Sequence, residues 1–408
     1  MAVAISHHPQ LKQIFFHFWN VLRATGLVVE DIEGSFKSAT LRTKIGFVLH
    51  ICVVVLIGVL LLIRMEHFAK RAPIEERFTY NWCVSFVHMN ESVFHFTMFM
   101  ITIYWVRGGV LREFFDNIAT IHSDKFLHEK TLNKLKKRSY FLMVVMCASM
   151  LTTATLSCIQ SAVVAFNSLP LLDDANSTVI NAIPDFGRSM LQTPYLYPID
   201  LIVYMFAVTM SSTVLALFYF MHTTICLEYS LFNKELESAL EENTFLEKPE
   251  AVNSFCLRQL VLMKVVRAMN NRSEIITSIC FLTGTGMNVV TFFIFIAHYK
   301  QMSWFQVSLW SAWELTSLLL MTVPFKKISD IHNAIENTKY LLLFDKTLWN
   351  SGDAELVSTV NIFIDRISHA NTPIYIFDAA EIKLKLLGKV FIVCPLFAEV
   401  LLYLQNVK

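Results

Sequence analysis

Seven stretches of the chain are almost entirely apolar, and each has the length of a membrane-spanning helix. A bilayer with a hydrocarbon core about 30 Å thick requires about 20 apolar residues per helix. Numbered in chain order, the seven predicted spans are Ile45–Ile63, Tyr80–Trp105, Tyr140–Phe166, Leu196–Phe220, Ile275–Ala297, Trp304–Val323 and Leu386–Gln405. The seventh is the least apolar, because it contains Lys389, Pro395 and Glu399. The pattern predicts an all-α membrane protein with seven transmembrane helices.

The distribution of basic residues between the spans predicts the orientation of the chain. Cytosolic segments of membrane proteins carry an excess of lysine and arginine. If the N-terminus is cytosolic, the inside segments hold 27 of the 34 basic residues and the outside segments hold the other 7. Seven spans then place the C-terminus outside the cell. Asn176–Thr178 is an N-glycosylation tripeptide in a loop assigned to the outside, which makes Asn176 a candidate glycosylation site.

The spans divide the chain into four regions. Residues 1–44 form a cytosolic N-terminal segment. Residues 45–324 hold spans one to six, with a helical cytosolic link at 223–272 between the fourth and the fifth. Residues 325–385 form a second long cytosolic stretch, and residues 386–408 contain the seventh span.

The second cytosolic stretch shows the pattern of two amphipathic helices. Polar, turn-forming tetrapeptides at 350–353 and 370–373 end the two helices. Their apolar stripes are Ile328, Ile331, Ile335 and Leu342 in the first helix, and Leu356, Val360, Phe363 and Ile367 in the second. Such helices either lie on the membrane surface or pack into an anchor bundle beneath it that joins subunits. The even spacing of the apolar residues favours the anchor bundle.

Composition and charge argue against several classes of protein. Only 16% of the residues are charged, against about 25% in an average soluble protein, and the net charge is +1. We therefore expect no nucleic-acid partner. The eight cysteines are isolated and form no Cys-x-x-Cys pair, so we predict no metal site. The sequence shows no nucleophile elbow or phosphate-binding loop, so we expect neither an enzyme nor a bound cofactor.

Two short motifs lie near the end of the chain. The first consists of Ile382, the pair Leu386 and Leu387, and Gly388, and the second of the five residues Val400–Leu404 followed by Gln405. Together they resemble the C-terminal signature of insect gustatory receptors, members of the seven-span channel superfamily that includes the insect odorant receptors. Ala398, Glu399 and Asn406 stand where that signature has threonine, tyrosine and phenylalanine.

The resemblance implies a ligand-gated, non-selective cation channel in the plasma membrane, expected in the dendrite of a sensory neuron. It implies a tetramer, either of identical subunits or with other receptors of the same family. The seventh span of each subunit would line a central pore. A small-molecule tastant would enter from outside and bind within spans two to six, and membrane lipids would surround the assembly.

Helical spacing selects the side chains of the seventh span that would line such a pore. A ring of Gln405 amides would coordinate passing cations weakly, and Leu402 would form a hydrophobic constriction. Glu399 lies off this stripe, where it faces the pore, pairs with Lys389 or contacts another subunit. The predicted pore-lining residues are Ala398, Leu401, Leu402, Gln405 and Asn406.

Polar and aromatic residues are frequent in the outer halves of spans two to six, where a ligand from outside would enter. Ligand pockets combine aromatic walls with a few placed polar groups. Two carboxylates, Glu91 and Glu314, are costly in a membrane and favour a water-filled cavity or a paired partner. For each residue, the alternative is a hydrogen bond between helices. The candidate ligand-binding residues are His88, Glu91, His95, Thr155, Gln160, Tyr204, Asn288, Gln306, Trp310, Trp313 and Glu314.

Two other functions remain open as alternatives. A proton-coupled secondary transporter would use Glu91, Glu314 and Glu399, but such proteins contain inverted repeats, which the sequence lacks. A G-protein-coupled receptor would place the N-terminus outside the cell, against the distribution of basic residues. The chain also lacks an Asp-Arg-Tyr-type triplet after the third span and an Asn-Pro-x-x-Tyr motif in the last one.

Overall fold

In the computed structural model, the described part of the chain contains seven helices of 23 residues or more, and each overlaps one of the seven predicted spans. The structure describes residues 41–71, 78–107, 129–166, 197–369 and 384–406, with a few single positions between them, and leaves some side chains within these helices undescribed. The prediction of an all-α architecture is confirmed for this part of the chain, apart from one pair of very short strands.

The helices in chain order are α1 (Leu41–Arg71), α2 (Tyr80–Arg107), α3 (Glu129–Phe166), α4 (Tyr197–Glu241), α5 (Thr244–Glu247), α6 (Glu250–His298), α7 (Trp304–Phe344), α8 (Lys346–Trp349), α9 (Ala354–His369) and α10 (Leu384–Asn406). A 3-10 turn at Tyr299–Gln301 connects α6 to α7. Strands β1 (Tyr375–Ile376) and β2 (Ala380–Glu381) form an antiparallel pair before α10.

Four helices of the described chain are long and apolar enough to cross a membrane, namely α1, α4, α6 and α10. The other three long helices carry polar residues within their apolar segments, such as His88 and Glu91 in α2 and Glu314 in α7. The structure contains no bilayer, so the count of seven spans and the orientation of the termini stay predictions.

Three helices are far longer than a membrane is thick. The lengths of α4, α6 and α7 are 45, 49 and 41 residues, about twice the number that a span requires. The predicted helical link at 223–272 consists of the continuations of α4 and α6, with the short α5 between them. In the same way, α7 continues from the sixth predicted span into the amphipathic segment that follows.

The two predicted apolar stripes are buried in one core. Ile331 of α7 and Phe363 of α9 are 3% and 1% exposed, and the other stripe residues are buried with them. Polar contacts attach α7 to α4 in the same region: Thr338 Oγ1 donates to Asn233 Oδ1 at 2.6 Å, and Asn233 Nδ2 donates to the Ala334 carbonyl at 2.8 Å. These helices pack together within one chain. A role of this anchor bundle in joining subunits stays a prediction.

Gly284 of α6 lies where the helix closely approaches α7. A Cβ atom at this position would be 2.4 Å from Met321 Cγ and 3.0 Å from the carbonyl oxygen of Ser317, which is closer than atoms pack. The short polar sequence around Gly284 therefore permits two long helices to come together, as small residues do between membrane helices.

Replacing Gly284 by alanine is expected to lower the melting temperature of the detergent-purified protein. Overpacking at such a contact reduces the free energy of unfolding by about 1–3 kcal/mol, more than the helical preference of alanine restores. Gly388→Ala is the matched control, since a Cβ there meets nothing within 4 Å and the substitution gains only helical preference. Equal melting temperatures for the two variants would contradict the contact between α6 and α7.

Candidate functional site

Six polar side chains from three helices meet inside the bundle, and we call them the outer polar cluster. All six are buried, with exposures between 3% for His95 and 9% for Asp200. Four of them are predicted ligand-binding residues, so the structure brings these four together. The members are Arg64 of α1, His88, Glu91 and His95 of α2, and Asp200 and Tyr204 of α4.

An ion pair between α1 and α4 forms one side of the outer polar cluster. Arg64 Nη1 donates to Asp200 Oδ1 at 2.5 Å, and both side chains are largely shielded from solvent. The guanidinium carbon of Arg64 lies 4.4 Å from the ring centre of Tyr204 and 5.1 Å from that of Phe68. Ring faces attract cations, so both aromatic side chains help to hold the buried arginine.

Glu91 is the centre of the other side. The Tyr204 hydroxyl donates to Glu91 Oε2 at 2.9 Å, and His88 Nδ1 lies 3.3 Å from the same oxygen. His95 Nδ1 is 2.9 Å from Ser211 Oγ of α4. The carboxylate therefore has the partners that a charge inside a membrane protein requires, and these contacts join α2 to α4.

Three aromatic residues, Tyr80, Trp310 and Trp313, lie beside the outer polar cluster, and we call them the aromatic group. Trp310 and Trp313 of α7 are fully buried, and their ring centres are 4.7 Å apart. Trp310 Nε1 donates to the Tyr80 hydroxyl at 3.2 Å. The His88 ring lies 5.4 Å from that of Trp313, so one histidine contacts both groups.

Two further predicted residues connect α6 to α7. Asn288 Nδ2 donates to Glu314 Oε1 at 2.6 Å, and Asn288 has no exposed surface. The hydroxyl of Ser317 donates to the backbone carbonyl of Glu314 at 2.8 Å. The Glu314 carboxylate is therefore also paired with a side chain from a neighbouring helix.

Three polar atoms near these groups are buried without a hydrogen-bond partner among the described residues. They are Nε of Arg64, Nε1 of Trp313 and Oδ1 of Asn288. A buried polar group without a partner reduces stability by about 1–3 kcal/mol, so each such atom in a native structure calls for an explanation. A bound molecule with hydrogen-bond donors and acceptors would supply the missing partners.

The remaining predicted ligand residues lie elsewhere. Gln306 is part of a capping box at the start of α7, because its Oε1 accepts from the Ser303 backbone at 2.9 Å. Thr155 of α3 is exposed. The side chain of Gln160 and the candidate glycosylation site Asn176 lie outside the described residues.

The predicted pore stripe of α10 faces the chain's own helices. Ala398 has no exposed surface and packs among residues such as Trp310 and Trp313, with Leu401 and Leu402 partly buried against the same group. Ala398 is therefore in contact with helices of its own chain, and its role in lining a pore stays a prediction. The opposite face of α10 is exposed and includes Leu396, Glu399, Val400, Tyr403 and Asn406.

The C-terminal end of α10 is connected to the segment before α2. Gln405 Nε2 donates to the backbone carbonyl of Phe78 at 3.2 Å. Phe78 has a φ of 68°, a left-handed conformation that is strained for an aromatic residue. Its ring contacts Trp82 of α2 and Phe293 of α6, so Gln405 is in direct contact with the end of the bundle that holds the aromatic group.

Sequence reasoning missed Arg64. The residue was counted among the basic residues of the first outside loop, whereas the structure buries it inside the bundle. The available signal was the position of Arg64 directly after the uncharged apolar run Ile45–Ile63, because a helix formed by that run can continue through it. Within the described part of the chain, no group of three histidine, cysteine, aspartate or glutamate side chains is arranged to hold a metal ion.

Comparison with solved structures identifies the class of fold. The insect olfactory receptor OR5 from Machilis hrabei in complex with eugenol matches with a TM-score of 0.68 at 12% identity, over 97% of this chain and 98% of that one. A second structure of the same receptor matches with a TM-score of 0.67 at 11% identity, over 96% and 98%. The protein thus has the fold of insect olfactory receptors, and its apolar helices identify it as a membrane protein. The gustatory subtype stays a prediction.

The family of the chain follows from a protein-family model that covers residues 14–398. The chain belongs to this family, which is described as "Caenorhabditis protein of unknown function, DUF267". A search of the curated proteins finds no match.

Proposed function

We propose that the protein is a chemosensory receptor that acts as a subunit of a ligand-gated, non-selective cation channel in the plasma membrane. The observation that carries the proposal is the shared fold, which extends over 97% of this chain and 98% of an olfactory receptor in complex with a small molecule. The gustatory subtype, with a tastant as ligand, rests on the terminal motifs alone.

The ligand of this proposal binds between the outer polar cluster and the aromatic group. Trp310 and Trp313 provide apolar walls, and the unpartnered atoms of Arg64, Trp313 and Asn288 provide hydrogen-bonding positions. Such a site suits a small molecule with an aromatic or apolar body and one or two polar groups. His88 contacts both groups and would respond to occupancy on either side.

The ion path of this proposal follows α10 at the axis of a tetramer. Glu399, Tyr403 and Asn406 are spaced by four and three residues, so they form one stripe on the exposed face. A carboxylate facing lipid at the centre of a membrane disfavours insertion by about 2.5–3.5 kcal/mol. Water around a shared axis removes that penalty, which favours the exposed face over the packed one for the pore. Leu402 and Gln405 then lie on the packed side of α10, where they contact the chain's own helices and not the ion path.

Coupling between ligand and pore would pass through the outer end of α10. The hydrogen bond from Gln405 to Phe78 joins α10 to the segment that begins α2, whose next turn carries Tyr80. Tyr80 in turn accepts from Trp310. A ligand that displaces this aromatic pair would therefore shift the residue to which α10 is attached.

The proposal is tested by reconstituting the purified chain into liposomes and measuring cation flux, with eugenol as the first ligand probe. We expect flux of both Na⁺ and K⁺ that rises when the probe is added. The variant that tests the ligand site is Trp310→Phe/Trp313→Phe. It keeps two aromatic rings but removes both indole donors, so its response to the probe should be weaker than that of the wild-type protein.

Flux that requires a proton gradient would instead favour the transporter, and absence of flux from a correctly assembled tetramer would contradict the proposal. The G-protein-coupled receptor predicts that an N-terminal tag is accessible on intact cells, whereas the channel predicts that only a C-terminal tag is accessible.

A further inference from the structure

A groove with a volume of about 670 Å³ lies between the end of α2 and the polar half of α6. It is separate from the outer polar cluster, because Tyr104 follows His95, the nearest cluster residue on α2, by nine positions, or about 14 Å along the helix. Its polar lining is mainly basic. The residues that matter for the argument are Tyr104, Trp105, Glu113, Lys264, Arg267 and Arg272.

The basic side chains come from successive turns of α6. Lys264 and Arg267 are exposed, and neither forms an ion pair with any residue that the structure describes. The guanidinium carbon of Arg272 lies 5.5 Å from the ring centre of Tyr104, and Arg272 Nη2 lies 3.7 Å from Glu113 Oε2. Three positive charges thus face one negative charge, and two of the three are available to an anion.

Trp105 provides an independent indication of a ligand. The side chain is 1% exposed and lines the groove, yet its indole Nε1 has no hydrogen-bond acceptor among the described residues. An indole nitrogen only donates, so the partner that it lacks is an acceptor such as an oxygen atom. An oxyanion in the groove would meet both the basic side chains and this donor.

The surroundings of the groove are those of a membrane boundary. Tyr104 and Trp105 end an apolar helix, where aromatic residues are typical of the lipid–water interface. Ile101 and Ile275 line the apolar side of the groove. On the predicted orientation this end of α2 faces the cytosol, whose leaflet holds the anionic lipids that basic residues attract.

We propose that this groove binds the phosphorylated head group of an anionic phospholipid of the cytosolic leaflet. The phosphate oxygens contact Lys264, Arg267 and the Trp105 indole, and the acyl chains leave along Ile101 and Ile275. The inference is independent of the ion path and of the small-molecule ligand, because it uses neither α10 nor the outer polar cluster.

The test is a thermal titration of the detergent-purified full chain with three probes: dioctanoyl phosphatidylinositol bisphosphate, dioctanoyl phosphatidylcholine and sodium phosphate. Only the first is expected to raise the melting temperature. For Lys264→Gln/Arg267→Gln, the concentration that gives half of this rise should increase about 30-fold, because each basic residue near a lipid surface contributes about 1 kcal/mol. Lys248→Gln/Lys346→Gln, which changes two exposed lysines elsewhere, should leave it unchanged.

Trp105→Phe keeps an aromatic side chain but removes the indole donor and part of the ring volume. It should increase the half-maximal lipid concentration about fivefold, the effect of one hydrogen bond of about 1 kcal/mol. Equal stabilisation by sodium phosphate would overturn the lipid as the source of the phosphate. An unchanged response of Lys264→Gln/Arg267→Gln, or no response of the wild-type protein to any probe, would overturn the site itself.

Discussion

Replacing Asp200 by asparagine is expected to reduce the free energy of unfolding by about 3–5 kcal/mol, because it leaves the buried Arg64 charge without its partner. The rings of Tyr204 and Phe68 would remain near the guanidinium, but a ring face contributes only about 2 kcal/mol in a desolvated site and does not neutralise the charge. The measurement is the melting temperature of the purified protein, together with the yield of assembled protein.

Two further variants test whether the loss of stability in Asp200→Asn comes from the broken ion pair. Arg64→Met/Asp200→Leu removes both charges and should recover most of the lost stability, since replacing a whole buried pair is often close to neutral. Glu66→Gln breaks the exposed Lys70–Glu66 contact on the same helix and should cause no measurable change. A double variant as unstable as Asp200→Asn would contradict a buried, mutually compensating pair.

Replacing Glu399 by lysine is expected to lower cation conductance about tenfold. In a tetramer the substitution reverses four charges beside the ion path. A charge about 8 Å from a cation contributes about 0.5 kcal/mol in water, and salt at physiological concentration screens much of this. Each charge reversal counts twice, and the sum over four subunits after screening is about 1.5 kcal/mol. This corresponds to a conductance that is about tenfold lower. Single-channel recording of the reconstituted protein provides the measurement.

Neutralisation and a distant charge reversal serve as controls for Glu399. Glu399→Gln should reduce the conductance by about threefold, half of the effect on a logarithmic scale. Glu242→Lys changes an exposed glutamate between α4 and α5 and should leave conductance unchanged. A normal conductance for Glu399→Lys would show that this face of α10 contacts lipid or another helix.

The positions of the long helices were predictable from the sequence because apolar length is a local property. The continuation of α4, α6 and α7 far beyond their apolar segments was only partly predictable. The polar segment of α6, which includes Lys264 and Arg267, has strong helical preference, but sequence alone does not distinguish one long helix from two that are separated by a turn. That distinction depends on packing in the anchor bundle.

The contacts within the candidate site depended on which helices are neighbours. The spacing of His88, Glu91 and His95 placed them on one face of α2, but the partners of Glu91 and His95 on α4, Tyr204 and Ser211, are 113 and 116 residues away along the chain. Arg64 was missed because its burial depends on Asp200 and Tyr204 of α4, which are distant in sequence; only the Phe68 ring, four residues further along α1, is a local neighbour.

The face of α10 that packs was not determined by its periodicity. Helical spacing shows that Ala398 and Gln405 share a stripe, but it does not show whether the stripe faces the same chain or a shared axis. The structure packs Ala398 against Trp310 and Trp313 of α7 and leaves Glu399 and Tyr403 exposed on the other side.

The most direct test of the account is thiol accessibility along α10 in a cysteine-free background, measured as block of the cation current by a membrane-impermeant thiol reagent applied from outside. If the exposed face surrounds the ion path, Tyr403→Cys and Asn406→Cys currents are blocked, whereas the Ala398→Cys current is unchanged. Block at Ala398→Cys with none at Tyr403→Cys would place the path on the opposite face, and block at neither face would contradict an ion path along α10.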